Sequence, residues 1–214
     1  MTRLSVLEKT LVKVGIEISK KERDGLQEQK NQWFVSIIIN VGSAVGGSLD
    51  HEHQQIVMGN LVPKRIQDNQ IFQDKHGQTF SDYILNQNPV ELLVQDYGPA
   101  ALLVPYFMHR PFDMILVLKD SQKSYLHQLN RDELEAISAG WRDAARVFQQ
   151  IMPSLNREIA YNIITHNGSR AGLYFELLPY TQEKGGLEHL GISVSQANPF
   201  QTAAQIRSLL DQSD

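Results

Sequence analysis

An α+β fold, a largely antiparallel sheet carrying helices, is predicted by the order of patterns along these 214 residues. Short β-rich runs come in close groups, and long runs of helical periodicity separate the groups, which is the arrangement of α+β chains. The first part reads helix, strand, strand. The second reads three strands, a long helix, three strands and a last helix.

Leu4, Leu7, Leu11, Val14 and Ile18 recur at helical spacing, with charged residues between them, and predict an amphipathic helix over Leu4 to Arg23. Asp24 to Asn31 is polar and reads as a loop. Trp33 to Asn40 reads as a strand, and its unbroken Val/Ile content predicts burial on both faces. Glu52 to Gly59 is a second strand. Pro63 to Asn88 is polar and irregular, with a short helix around Phe80 to Leu85. Val90 to Gln95, Ala101 to Tyr106 and Met114 to Lys119 read as three strands. Asn130 opens a helix with Glu133 at the capping-box position. Leu134, Ile137, Trp141, Ala144, Phe148 and Ile151 form its apolar stripe, and Pro153 is expected to stop it. Glu158 to Thr165, Leu173 to Leu178 and His189 to Val194 read as strands. Asn198-Pro199 starts the last helix, with Gln201 at the capping-box position and Ala204, Ile206 and Leu209 available for packing.

Leu4 to Gly59 and Asn130 to Leu178 share the order helix, loop, strand, turn, strand, a weak repeat of pattern. Two units are expected, 1–89 and 90–214, the first shortened at its N-terminus. A shortened sheet exposes an edge, and an exposed edge needs cover. A second chain is one expected solution, and an N-terminal portion missing from this chain is another.

Composition excludes several classes of function. There are no cysteines, so disulfides, thiolate nucleophiles and cysteine-bound zinc are ruled out within this chain. The formal net charge of -4 argues against a nucleic-acid partner. No apolar run approaches the roughly 18–20 residues of a membrane span, and the N-terminus lacks the apolar core of a signal peptide. A soluble, cytoplasmic protein is expected, with no membrane partner.

The segment Asn40 to Gln55 carries the chemistry. A strand feeds the glycine-rich stretch Gly42, Gly46, Gly47, Ser48, and a His51-x-His53-x-Gln55 strand follows. Glycines let backbone approach an anion closely, and successive N–H groups can cradle phosphate. An imidazole just beyond such a cradle can attack the phosphorus held there. Strand alternation places His51, His53 and Gln55 on one face. The two histidines also suit a metal pair such as zinc, a cofactor disfavoured by the absence of cysteine. The glycine stretch by itself would be an ordinary loop.

Asn-x-Gly-x-x-x-Gly-x-Ser-x-x-His-x-His-x-Gln resembles the active-site segment of galactose-1-phosphate uridylyltransferases, members of the histidine-triad (HIT-like) superfamily. Asn40, Gly42, Gly46, Ser48, His51, His53 and Gln55 match it without a gap. Arg110-Pro111-Phe112-Asp113-Met114 resembles an aromatic-Pro-Phe lead-in to a strand in that family. Gly186-Leu187-Glu188 resembles a segment that reaches the sugar. The resemblance implies a HIT-like fold with one complete and one shortened half, a homodimer, and a nucleotide or nucleotide-sugar substrate. It makes His53 the nucleophile that forms a covalent nucleotidyl-histidine, and Gln55 the partner of a non-bridging phosphoryl oxygen. His51 would set the tautomer or help position the strand, and Asn40 would orient the phosphates. The N–H groups of Gly46, Gly47 and Ser48 would stabilise the equatorial oxygens. Glu188 and, more remotely, Gln196 would contact sugar. Glutamine cannot act as a proton-donating acid, so position 55 favours transfer over hydrolysis.

The chain departs from the family pattern. Glu52 replaces the middle proline of His-Pro-His, the cysteine zinc pair is missing, and Tyr174-Phe175-Glu176 stands where a His-x-His metal pair is expected. Two other readings therefore stand beside transfer: a phosphorylase or hydrolase of nucleoside polyphosphates, and a non-catalytic nucleotide-binding remnant. His166-Asn167-Gly168 reads as a turn, Trp33 and Trp141 as core, and Arg110, Lys119 and Arg170 as surface residues.

Overall fold

The computed structural model describes residues 34–47, 53–59, 62–168 and 172–212. The helix expected over Leu4 to Arg23, the loop after it, Trp33, Ser48, His51, Glu52 and Arg170 lie outside the described residues.

Seven strands form one sheet: β1 (Phe34–Val41), β2 (His53–Gly59), β3 (Leu93–Asp96), β4 (Ala100–Leu103), β5 (Met114–Leu118), β6 (Tyr161–His166) and β7 (Tyr174–Pro179). Their spatial order is β2-β1-β6-β7-β5-β4-β3, and every neighbouring pair is antiparallel. The expected α+β class and mostly antiparallel sheet are therefore found.

The helices are α1 (Lys64–His76), α2 (Phe80–Gln87), α3 (Arg131–Ser154), the single turn α4 (Gly186–His189) and α5 (Pro199–Asp211). The longest, α3, starts as its sequence requires. The Asn130 side chain accepts from the Glu133 N–H at 2.9 Å, and the Glu133 carboxylate accepts from the Asn130 N–H at 2.8 Å. This capping box satisfies two N–H groups, one of them an orphan donor of the first turn. Pro153 does not stop the helix at its own position. The helix runs on to Ser154, and Asn156, at φ 55°, turns the chain away.

The apolar stripe of α3 packs with α5 onto one face of the sheet. Ile137, Trp141, Ala144 and Phe148 meet Ile37, Ile39, Ile163, Phe175 and Leu116 there. Trp141 sits edge-on to Phe175, with ring centroids 5.2 Å apart, so its core reading holds. Each fully buried large apolar side chain contributes about 1.5–3 kcal/mol. A smaller cluster on the opposite face joins Ile84, Tyr83 and Phe80 of α2 to Leu103, Ile115, Val117 and Tyr174.

Three further expectations change. Pro63 to Asn88 is not irregular: besides the expected short helix, α2, it holds α1. Its low apolar content reflects the thin contact of α1, in which only Ile66 and Asn69 are buried. His189 to Val194 is not a strand. Its alternating Leu190, Ile192 and Val194 look β-like, yet all three are exposed, and the segment closes back on α4. The β1 strand is not evenly buried on both faces. Ile37 and Ile39 face the core of α3, whereas Ile38 and Asn40 are only partly covered.

Candidate active site

The site begins where β1 ends. Gly42 has φ 88° and ψ 151°, a conformation essentially reserved for glycine. A Cβ there would stand 2.6 Å from the Ile159 carbonyl oxygen and 2.9 Å from the Ala160 side chain. The chain then makes a 3₁₀ turn over Ser43–Val45, closed by Gly46 in the left-handed region. A Cβ on Gly47 would meet the Gly42 carbonyl oxygen at 2.6 Å. These glycines serve close approach, of the turn to itself and to the start of β6.

The N–H groups expected to cradle phosphate are partly turned inward. Gly46 N–H donates to the Ser43 carbonyl at 3.2 Å, and Gly47 N–H donates to the Gly42 carbonyl at 3.0 Å. A tight turn has to satisfy its own donors, so Gly46 and Gly47 do not offer an open cradle in this conformation. Ala44 N–H and the Ser43 hydroxyl both donate to Glu158 Oε1, at 3.3 and 3.1 Å.

The register of β1 with β2 aligns the motif across the sheet. Asn40 stands opposite His53, and Ile38 stands opposite Gln55. On the other side Asn40 stands opposite Asn162 of β6. Directly opposed residues share a face. Asn40, His53, Gln55 and Asn162 therefore lie on one face, beside the glycine turn and away from the α3 core. Asn162 Nδ2 donates to Asn40 Oδ1 at 2.7 Å and to the Val45 carbonyl at 3.3 Å. Asn40 Nδ2 donates to Gln55 Oε1 at 3.5 Å. Sequence reasoning missed Asn162. Its signal was a carboxamide inside the apolar run Tyr161 to Ile164.

No protein-family model matches the chain, and no curated protein sequence does. Solved structures do. A uridylyltransferase mutant matches with a TM-score of 0.84 at 21% identity, over 100% of this chain and 73% of that one. The chain has the uridylyltransferase fold. A galt-like protein from Arabidopsis thaliana matches with a TM-score of 0.73 at 18% identity, over 94% of this chain and 67% of its own. An ADP-glucose phosphorylase from the same plant, solved with bound ADP-glucose, matches with a TM-score of 0.74 at 16% identity, over 94% and 64%.

Within this uridylyltransferase-like sheet the register has an internal symmetry. Ile38 faces Ile164 across β1 and β6. Ile164 stands opposite Glu176 as Ile38 stands opposite Gln55, and His166 stands opposite Tyr174 as Asn40 stands opposite His53. The sequences 37–46 and 163–172 agree in that alignment at both isoleucines, at Gly-Ser and at the last glycine. The hydrogen bond from Asn40 to Gln55 also has a counterpart, His166 Nε2 with Glu176 Oε2 at 2.8 Å. The repeat thus reaches residue identity, not pattern alone.

His166 is more than a turn residue. It is buried, stacked on Tyr174 at 4.3 Å and paired with Glu176, which also takes an ion pair from Arg65 of α1. Burial by itself would raise the Glu176 carboxyl. The hydrogen bond and charge of His166 and the Arg65 guanidinium outweigh it and hold the group at about 2. Tyr174 and Glu176 do not fit a metal, because the guanidinium already stands on the carboxylate that a cation would need. Among the described residues no three His, Asp or Glu gather as metal ligands.

The remaining candidates have partners of their own or are exposed. Glu188 is not on a strand edge. It closes its own loop, Oε2 accepting from Gly185 N–H at 2.9 Å and Oε1 from Val194 N–H at 3.4 Å. Gln196 is exposed just before α5. Arg110 pairs with the buried Asp113 at 3.1 Å, and Lys119 pairs with Asp96 at 2.7 Å. No helix among the described residues is long and apolar enough to cross a membrane.

Proposed function

We propose that this protein is a nucleotidyltransferase acting through a covalent nucleotidyl-histidine on His53. The observation that carries the reading is the cross-strand row Asn162–Asn40–His53, with Gln55 hydrogen-bonded to Asn40, beside a close-packed glycine turn. A neutral imidazole nitrogen of His53 attacks the α-phosphorus of a nucleotide-sugar or dinucleoside polyphosphate. The P–N bond forms as the P–O bond to the leaving phosphate breaks. A phosphate oxygen of the acceptor then attacks the same phosphorus, and the P–N bond breaks. Gln55 donates to a non-bridging oxygen, where negative charge gathers in the transition state. His51 and Ser48 are assigned supporting roles, positioning the imidazole and donating to phosphate. Glu188 and Gln196 are assigned to the sugar, in a homodimer whose chain has a shortened half (1–89) and a complete half (90–214). The internal symmetry of the register supports that division. No step is assigned to a metal.

The test is intact-protein mass spectrometry after incubation with UDP-glucose, ADP-glucose or a dinucleoside polyphosphate. A nucleotidyl adduct is expected on the wild type and none on His53→Ala. No adduct with any donor on a folded sample overturns the reading.

The fold likeness to an ADP-glucose phosphorylase favours a second reading in the same chemistry, with inorganic phosphate as the acceptor. Product analysis with sugar phosphate, phosphate or water as acceptor separates the two. Tight nucleotide binding without an adduct would point instead to a binding remnant.

A further inference from the structure

We infer that Arg65 takes the place of a metal ion: its guanidinium is the resident cation of the His166–Glu176 pair, and it fastens α1 to the sheet.

Positions 174 and 176 are where the family pattern calls for a metal pair. A metal needs ligands with a lone pair to give. The Tyr174 hydroxyl donates to Asn69 Oδ1 at 3.2 Å and accepts from Asn69 Nδ2 at 3.0 Å. Both residues are buried, so each satisfies the other. Burial and the charge of Glu176 push the phenol up, away from the phenolate that a metal would bind. Glu176 Oε2 accepts from both His166 and Arg65. An ionised carboxylate only accepts, so His166 Nε2 carries the proton and has no lone pair for a metal. The other ring nitrogen, Nδ1, is buried without a partner. Among the described residues no three His, Asp or Glu gather that could share an ion with it.

The need for positive charge remains. The Glu176 side chain is 13% exposed, and a buried carboxylate is costly unless a cation stands on it. A divalent ion would meet that need from solution. Arg65 meets it from within the chain, with its own side chain 54% exposed and still partly hydrated.

The place of this contact gives it a use. The motif strand β2 ends at Gly59, and α1 opens at Lys64. Arg65 therefore ties down the chain as it leaves the strand of His53 and Gln55. It does so on β7, three strands from β2. Asn69, one helical turn later, adds its pair with Tyr174 of the same strand. A tethered guanidinium cannot be chelated or exchanged, so the fastening is independent of metal supply.

The experiment is thermal melting with metal analysis, on the full chain. The wild type, purified without chelator, should carry far less than one equivalent of transition metal and should melt at the same temperature after chelation. A full equivalent per chain, lost together with stability on chelation, overturns the inference. Arg65→Ala should lower the melting midpoint by about 5 °C, since it strips one partner from a buried carboxylate. In that variant His166 and Glu176 stand beside a vacated cation position. Excess zinc sulfate should then raise its midpoint, and should move neither the wild type nor Arg65→Ala/Glu176→Gln. An unchanged midpoint in Arg65→Ala, no rescue by zinc, or equal rescue once Glu176→Gln is added overturns the inference. Should Arg65→Ala not fold, Arg65→Lys decides, because it keeps the charge in place. A folded lysine variant that ignores zinc supports the substitution of guanidinium for metal, and one that zinc stabilises overturns it. None of these measurements involves a nucleotide, so they stand whether or not His53 forms an adduct.

Discussion

Gly42 and Gly46 look alike in the sequence and differ sharply in the fold. Gly46 is a left-handed cap with open space where a Cβ would go. Gly42 combines a glycine-only conformation with a carbonyl oxygen 2.6 Å from any added Cβ. Gly46→Ala should therefore lower stability by about 1 kcal/mol, the usual cost of a non-glycine residue in the left-handed region. Gly42→Ala should cost more than about 2 kcal/mol, because backbone strain adds to a clash with β6 that backbone atoms cannot evade. Urea unfolding of the two variants checks the order. Only Gly42→Ala should also displace Val45 and slow adduct formation. The motif spacing marked both glycines, but nothing in the spacing separates them. The difference arises from Ile159 and Ala160, more than a hundred residues away in the chain.

At the scale of elements, the weakest join in the sheet's cover is α1, which has a thin apolar face. The Arg65–Glu176–His166 group links α1 to β7 and β6 in compensation. Glu176→Gln removes the charge while keeping the shape. It should cost about 2–3 kcal/mol at pH 7, as expected for a partly buried carboxylate with two cationic or hydrogen-bonding partners. The sign of the pH dependence follows from the folded carboxyl lying below its ordinary 4.5, at about 2. The stabilisation is fully present above 4.5 and is lost as pH falls through 2. The difference between wild type and Glu176→Gln in urea unfolding should thus shrink from pH 5 toward pH 2. A difference constant over that range would show that the charge contributes nothing. The helix α3 was legible from its stripe and capping box, since both are local. The short helix α2 was legible too, around Phe80 to Leu85. The helix α1 was not, because it is held by one ion-paired cluster and little apolar surface. The false strand at His189 to Val194 shows the converse. Alternation predicts a strand only when one face is buried, and here Leu190 is 78% exposed.

At the scale of the whole molecule, two surfaces invite cover. The segment around α4 exposes Leu187, Leu190, Ile192 and Val194 in close succession. The strand β2 lies at one end of the described sheet, with Ile56 and Val57 also exposed. Exposed apolar side chains gathered in one segment are the kind of surface that a partner covers. The homodimer proposed above would bury such surface. Light scattering of the wild type should give the mass of two chains, and Leu190→Glu should shift it toward one. A wild type that runs as a single chain across concentrations would remove the dimer.

The chain alone specified the antiparallel α+β class, the long capped helix and the row of residues from Asn40 to Gln55, because period, caps and spacing are short-range properties. Folding was needed for the rest. Only the pairing of β1 with β6 brings Asn162 against Asn40, and only that pairing shows that His166 and Glu176 repeat the geometry of Asn40 and Gln55. Register between strands separated by 122 residues is set by the shared core beneath them, and no local pattern encodes it.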